Sequence, residues 1–133
     1  MDINWIAVLV ATLVGALAGS LWFGPRTFFP LWWQAMGKDP NTPPGGQNMA
    51  LVFGLTFVAT AVQALIIALI LGGIGEINWF AGLAVGALLG VLSASLLLPH
   101  KLFGSINLKV WILEAGADIV GMSLMGLTIG LFG

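Results

Sequence analysis

Two acidic side chains, Glu114 and Asp118, stand inside an otherwise apolar run that extends from about residue 107 to 131. They are four residues apart, so on a helix they share one face. If the helix begins near Asn107, the 1.5 Å rise per residue puts Glu114 about 10 Å and Asp118 about 16 Å along it. Asp118 then lies near the middle of a bilayer. An ionised side chain at that depth costs at least ~2.5–3.5 kcal/mol, so such residues are kept for proton or cation pathways or are tied into polar contacts. Lys109 is a poor partner within the same helix, because five residues correspond to about 140° around the axis; it is expected to snorkel to the interface instead. Gln63, near the middle of another apolar run, is the neutral side chain best suited to meet the carboxyls. With Thr56 and Thr60 it makes a polar row, although threonines in a helix also bond back to their own backbone. Asp118, Glu114 and Gln63 are therefore the candidate proton or cation site. A purely structural, hydrogen-bonded role for the same residues stays open.

Other chemistry has little footing. There is no cysteine, which excludes disulfides and thiolate ligands. His100 is the single histidine, and no HExxH or paired-histidine spacing accompanies it, so it reads as an interfacial residue beside Lys101. No glycine-rich phosphate loop and no Ser-His-Asp arrangement occurs. Neither an enzyme nor a bound metal or cofactor is expected. The four basic residues form no patch, so nucleic acid is not an expected partner.

The elements that must hold the carboxyls follow from composition. The 133 residues suit one domain; they are 59% hydrophobic and 7% charged, where soluble domains are about 25% charged. Nine ionic side chains cannot cover a water-exposed surface, so an integral membrane protein is predicted. About 20 apolar residues are needed to cross a hydrocarbon core about 30 Å thick. Four segments qualify, at about 3–23, 49–71, 79–98 and 107–131. Gly24-Pro25 is expected to end the first, Gly72-Gly73 and Gly75 the second, and Pro99 the third. The first run ends in Ala16-Leu17-Ala18, similar to a signal-peptide cleavage site. Its leading segment carries Asp2 and no Lys or Arg, so it reads as a retained span.

Between the first two spans lies "SLWFGPRTFFPLWWQAMG", then the polar, Pro/Gly-rich "GKDPNTPPGGQN". Phe28, Trp32 and Met36 fall on one i, i+4, i+8 row flanked by Phe29 and Trp33. The segment is too short to span. It predicts an amphipathic interfacial helix at about 28–36, beginning at or just before Pro30, with rings at headgroup level. Trp22, Phe28, Phe29, Trp32 and Trp33 are the candidate lipid- or partner-contact residues. The fold class is thus all-α, a four-helix transmembrane bundle with one short interfacial helix between spans one and two.

Arg26, Lys38, Lys101 and Lys109 belong to the first and third loops or their edges, whereas Asp2 and Glu76 lie at the other side. The positive-inside rule then predicts a multi-pass cell (inner) membrane protein with loops one and three cytoplasmic and both termini outside. Small residues repeat at helical spacing: Ala7, Ala11, Gly15 and Gly19; Gly82, Gly86, Gly90 and then Ser93; Gly126 and Gly130. Such rows mark helix–helix contact faces, within the chain or to another subunit. Four helices enclose little space, so a homo-oligomer or a subunit of a larger membrane complex is expected.

Asn4-Trp5, Ala7, Val10-Ala11, Gly19, Trp22-Phe23-Gly24-Pro25, Phe29, Trp33 and Met36-Gly37 carry a resemblance to the bacterial and fungal membrane family catalogued as domain of unknown function 1761. The family's members are similar in length and in having four spans. The resemblance implies a four-helix bundle with an aromatic re-entry after span one, and no reaction. Two functions follow as expectations: a small proton- or cation-coupled transporter or channel built on the carboxyls, or a non-catalytic accessory subunit whose aromatic shelf packs on lipid or a partner.

Overall fold

The computed structural model describes residues 3–39, 41–42 and 48–133. Asp2 and the stretch 43–47 of the polar loop, with Met1 and Pro40, lie outside the described residues. Five helices follow in order: α1 (Trp5–Trp22), α2 (Phe29–Ala35), α3 (Met49–Ile74), α4 (Trp79–Phe103) and α5 (Leu108–Leu131). No strand occurs among the described residues. All helices but α2 are long and apolar enough to cross a bilayer, which makes this a multi-pass membrane protein.

Each long helix begins at an asparagine. The side-chain oxygens of Asn4, Asn48, Asn78 and Asn107 accept from the backbone N–H groups of Ala7, Leu51, Ala81 and Lys109 at 2.8–3.3 Å. An asparagine there satisfies a donor that the helix cannot, worth about 1 kcal/mol over alanine. Gly75 closes α3 at φ +75°, a conformation that suits glycine, and its N–H donates to Leu71 O.

Two helix ends lie beyond the expected ones. α3 passes through Gly72-Gly73 to Ile74, and α4 passes through Pro99 to Phe103. In an apolar medium an unpaired backbone group costs several kcal/mol, against roughly 1 kcal/mol for a glycine in a helix, so the helix continues. Pro99 frees only the carbonyl of Ser95, which belongs to an exposed residue near the helix end. At 25 residues α4 is about 38 Å long, longer than the ~30 Å apolar core, and its last turns carry His100 and Lys101.

α4 and α5 form an antiparallel pair in backbone contact. A Cβ on Gly82 would meet the Gly126 carbonyl oxygen, and one on Gly126 would meet that of Gly82. Gly86 faces Met122 O in the same way, Gly90 faces Ile119 and Asp118, and Gly130 faces Asn78 O. As the α4 number rises by four, its α5 partner falls by four. Both small-residue rows are thus used within the chain. α1 and α3 cover the other side of α5. Val8, Ala11, Ala64, Ile67, Leu71, Met125 and Ile129 make the buried core towards the α3–α4 turn. Gly15 lies in this seam, against Met125 and Thr60. The outward faces are apolar: Leu21 is 70% exposed, Leu88 69% and Phe53 67%. Such a belt has no place in water and suits lipid.

These contacts make the glycines separable. Gly82→Val or Gly126→Val forces α4 from α5, with a loss at or above the upper end of the ~1–3 kcal/mol that overpacking usually costs. Gly54→Ala and Gly121→Ala, where a Cβ meets nothing within 4 Å, are neutral or slightly stabilising. Unfolding of the purified protein in mixed micelles measures both. Equal tolerance of all four changes contradicts the pairing.

Candidate functional site

Glu114 and Asp118 share a face of α5 and occupy different environments. Both oxygens of Glu114 are engaged. Lys101 Nζ lies 2.7 Å from Oε1, and the Trp32 indole N–H donates to Oε2 at 3.1 Å. The two ionic side chains are about one-fifth exposed. The lysine reaches it because α4 continues past Pro99. Lys101 is seven residues, two turns, beyond the buried Ala94 and so falls on the face turned to α5. Lys109 plays no part in this tie.

Asp118 accepts one hydrogen bond, from Ser93 Oγ at 3.0 Å. Ser93 follows Gly90 by three residues and lies beside the Gly82, Gly86, Gly90, Ala94 row, so the contacts that bring the backbones together also deliver the hydroxyl. Oδ1 of Asp118 has no hydrogen-bond partner among the described residues. No fully buried polar side-chain atom there lacks a partner, so this oxygen is not fully buried.

Gln63 does not bond either carboxyl. It is exposed and, with Ser93, lines a lateral groove of about 330 Å³ between α3 and α4, whose other walls are apolar and include Ile66, Leu89 and Met122. Gln63, Ser93 and Asp118 each lie within about two residues of the midpoint of their helices, so their depths agree to within roughly 5 Å. Thr56 and Thr60 bond back to Val52 O and Thr56 O at 2.7 and 2.9 Å. The groove therefore has a narrower polar band than the sequence row suggests. The described residues contain no group of three or more acids or histidines that could hold a metal ion.

The aromatic segment closes onto the same helix. Trp22 Nε1 donates to Leu113 O at 2.9 Å, and the absence of a side chain on Gly116 leaves room for the Trp22 ring. Phe28 packs tilted against Trp22, its ring centroid 4.6 Å away, and Phe23 and Phe29 flank Trp32 at 5.0 and 5.9 Å. Trp33 lies 5.4 Å from Phe29 and donates to Asp39 O and Thr42 O. Trp111, from within α5, donates to Ala94 O at 2.8 Å. Pro30 stands in the first turn of α2, where its missing N–H costs nothing. Trp22, Phe28, Phe29, Trp32 and Trp33 are all half-buried, so each presents one side to the protein and one outward.

Two participants escaped the sequence reading. Ser93 was visible as a small residue in the α4 row; its partner becomes evident once that row is set against α5. Lys101 carried no local signal, since a helix stopped at Pro99 leaves it in a loop.

No curated protein and no solved structure matches the chain. Residues 6–130 match the family described as "Protein of unknown function (DUF1761)", the one that the first 37 residues resemble. With the match running almost from end to end, the chain belongs to this family.

Proposed function

We propose that the protein is a small proton- or cation-coupled transporter or channel that works as an oligomer, with Asp118 as the site that takes up the proton or cation. One observation carries the reading: an acidic side chain at mid-span depth is held by a single hydroxyl and keeps one oxygen open. A carboxylate at such depth is costly until a proton or cation neutralises it, and that cost is what makes it a binding site. Ser93 orients the carboxyl, and Gln63 supplies the other polar group of the α3–α4 groove at a similar, mid-span depth. Glu114, expected to share this task, is better read as structural, because Lys101 and Trp32 occupy both of its oxygens.

A second reading, a non-catalytic accessory subunit of a larger membrane complex, draws on the outward glycines. Gly19, Gly54 and Gly121 meet nothing within 4 Å, and small residues on spans favour close approach of another helix. The same feature supports a homo-oligomer, and the mass of the complex in mild detergent separates the two.

Orientation completes the reading. Arg26, Lys38, Lys101 and Lys109 gather at the α2 end and Glu76 stands at the other, which favours a cytoplasmic α2 end with α2 lying in the interface, and termini outside, in the cell membrane. Cysteines at Thr42 and Glu76 then label from opposite sides of intact cells. Position 76 is preferred to 75, where φ +75° disfavours any side chain. Labelling of both from one side contradicts this topology.

For the site, Asp118→Asn keeps the Ser93 contact and the oligomer mass but abolishes proton- or cation-dependent flux into proteoliposomes. Glu114→Gln retains flux and loses about 2 kcal/mol of stability, the scale of a hydrogen bond to a charged group. Flux in Asp118→Asn equal to the unsubstituted protein's overturns the transport reading.

A further inference from the structure

At the α2 end of the bundle, a cavity of about 380 Å³ lies between the end of α2 and the α4–α5 turn. Its lining is mixed in chemistry. Met36, Ile106 and Val110 supply apolar surface, and Lys38, Lys101, Ser105 and Asn107 supply polar groups. The polar groups are rich in donors. Asn107 spends its side-chain oxygen on the Lys109 N–H, which leaves its amide N–H groups without a partner among the described residues. Ser105 Oγ makes no hydrogen bond there either. Lys38 pairs with no carboxylate among the described residues; its Nζ lies 5.8 Å from the centroid of the Trp33 ring, and Trp33 is itself fixed by two backbone carbonyls. The neighbouring acids are committed: Glu114 to Lys101 and Trp32, and Asp39 Oδ1 to the Asn41 N–H. The cavity thus offers several donors, and Lys38 as a cation with no carboxylate partner among the described residues.

We propose that this cavity binds a phosphate group, and that the phosphate is the headgroup of an anionic phospholipid. A phospholipid headgroup takes donors at its phosphate and carries apolar acyl chains beside it, which suits a lining that holds both kinds of group. Free phosphate needs donors around it and finds apolar side chains among the lining. The position fits as well, since Lys38 and Lys101 stand at the end of the spans, where headgroups lie, and basic pockets between transmembrane helices are suited to such lipids. The site is separate from mid-span Asp118, which does not line this cavity, and does not depend on the transport reading.

The test uses the full chain in mild detergent, titrated with phosphatidylglycerol or phosphatidylcholine and read by native mass spectrometry. The expected result is one tightly retained phosphatidylglycerol per chain and weaker retention of phosphatidylcholine. Lys38→Gln weakens phosphatidylglycerol binding about fivefold, the contribution of one basic residue near an anionic headgroup. Ser105→Gly adds to that loss, and glycine is at ease there because Ser105 has φ +57°. Lys38→Arg keeps the binding. Lys109→Gln, an exposed cation at the same end that does not line the cavity, leaves it unchanged. An equal loss in Lys38→Gln and Lys109→Gln reduces the effect to diffuse charge and overturns the site. Displacement of the lipid by millimolar inorganic phosphate, with the same sensitivity to Lys38→Gln, overturns the lipid assignment and leaves a free-phosphate site.

Discussion

The backbone contact between α4 and α5 is the constraint from which the other contacts follow. Three glycines on one helix and two on the other remove the side chains that would hold these helices apart, so carbonyl oxygens meet α-carbons directly. In lipid this is a strong way to join helices, because apolar side chains gain little from leaving one hydrocarbon environment for another. The contact fixes register. A shift of one residue would set Met122 or Ile119 against side chains instead of glycines. Once register is fixed, Ser93 meets Asp118 and Ala94 O meets the Trp111 indole without any further specification.

The same pairing explains why α5 is central. It is the least apolar of the four spans and carries both intramembrane acids. A helix with such groups cannot present them all to lipid, so it is surrounded: α4 on one side, α1 and α3 on another, and the aromatic segment against its first turns. The rings of residues 22–33 are therefore more than a belt at the interface. Each indole N–H that turns inward meets an acceptor on or beside α5, which an anchor alone would not need. Sequence periodicity showed that these rings share a side of a short helix. It could not show that α5 is what they turn towards.

The sequence discloses whatever rests on a single segment. Span number and approximate limits come from hydropathy, the break at Gly24-Pro25 from proline chemistry, and the contact faces from the spacing of Gly82, Gly86 and Gly90. What depends on two segments at once is less legible. Pro99 looks like a stop when a helix is judged residue by residue. In an apolar medium the backbone has no alternative partner, so the helix runs on and Lys101 comes within reach of Glu114. Gln63 looked like the natural partner of a carboxyl because it shares the depth. Depth alone leaves the direction around the helix axis undetermined, and the glycine register gives the place beside Asp118 to Ser93.

That separation bears on function. Two acids on one helix face, one turn apart, suggested a shared site. The fold gives them opposite surroundings. Glu114 is matched by a cation and an indole near the end of the span, where α2, α4 and α5 converge, and its removal would loosen all three. Asp118 is left with one neutral donor at the depth where charge is most costly, although Ser93 is the sole polar residue supplied to it. A protein that needed only packing could place an asparagine or a leucine there at lower cost. An unmatched carboxyl beside a matched one argues that the match was available to this fold and was used where rigidity is required. The unpartnered oxygen of Asp118 is therefore the feature on which the proposed transport reading rests.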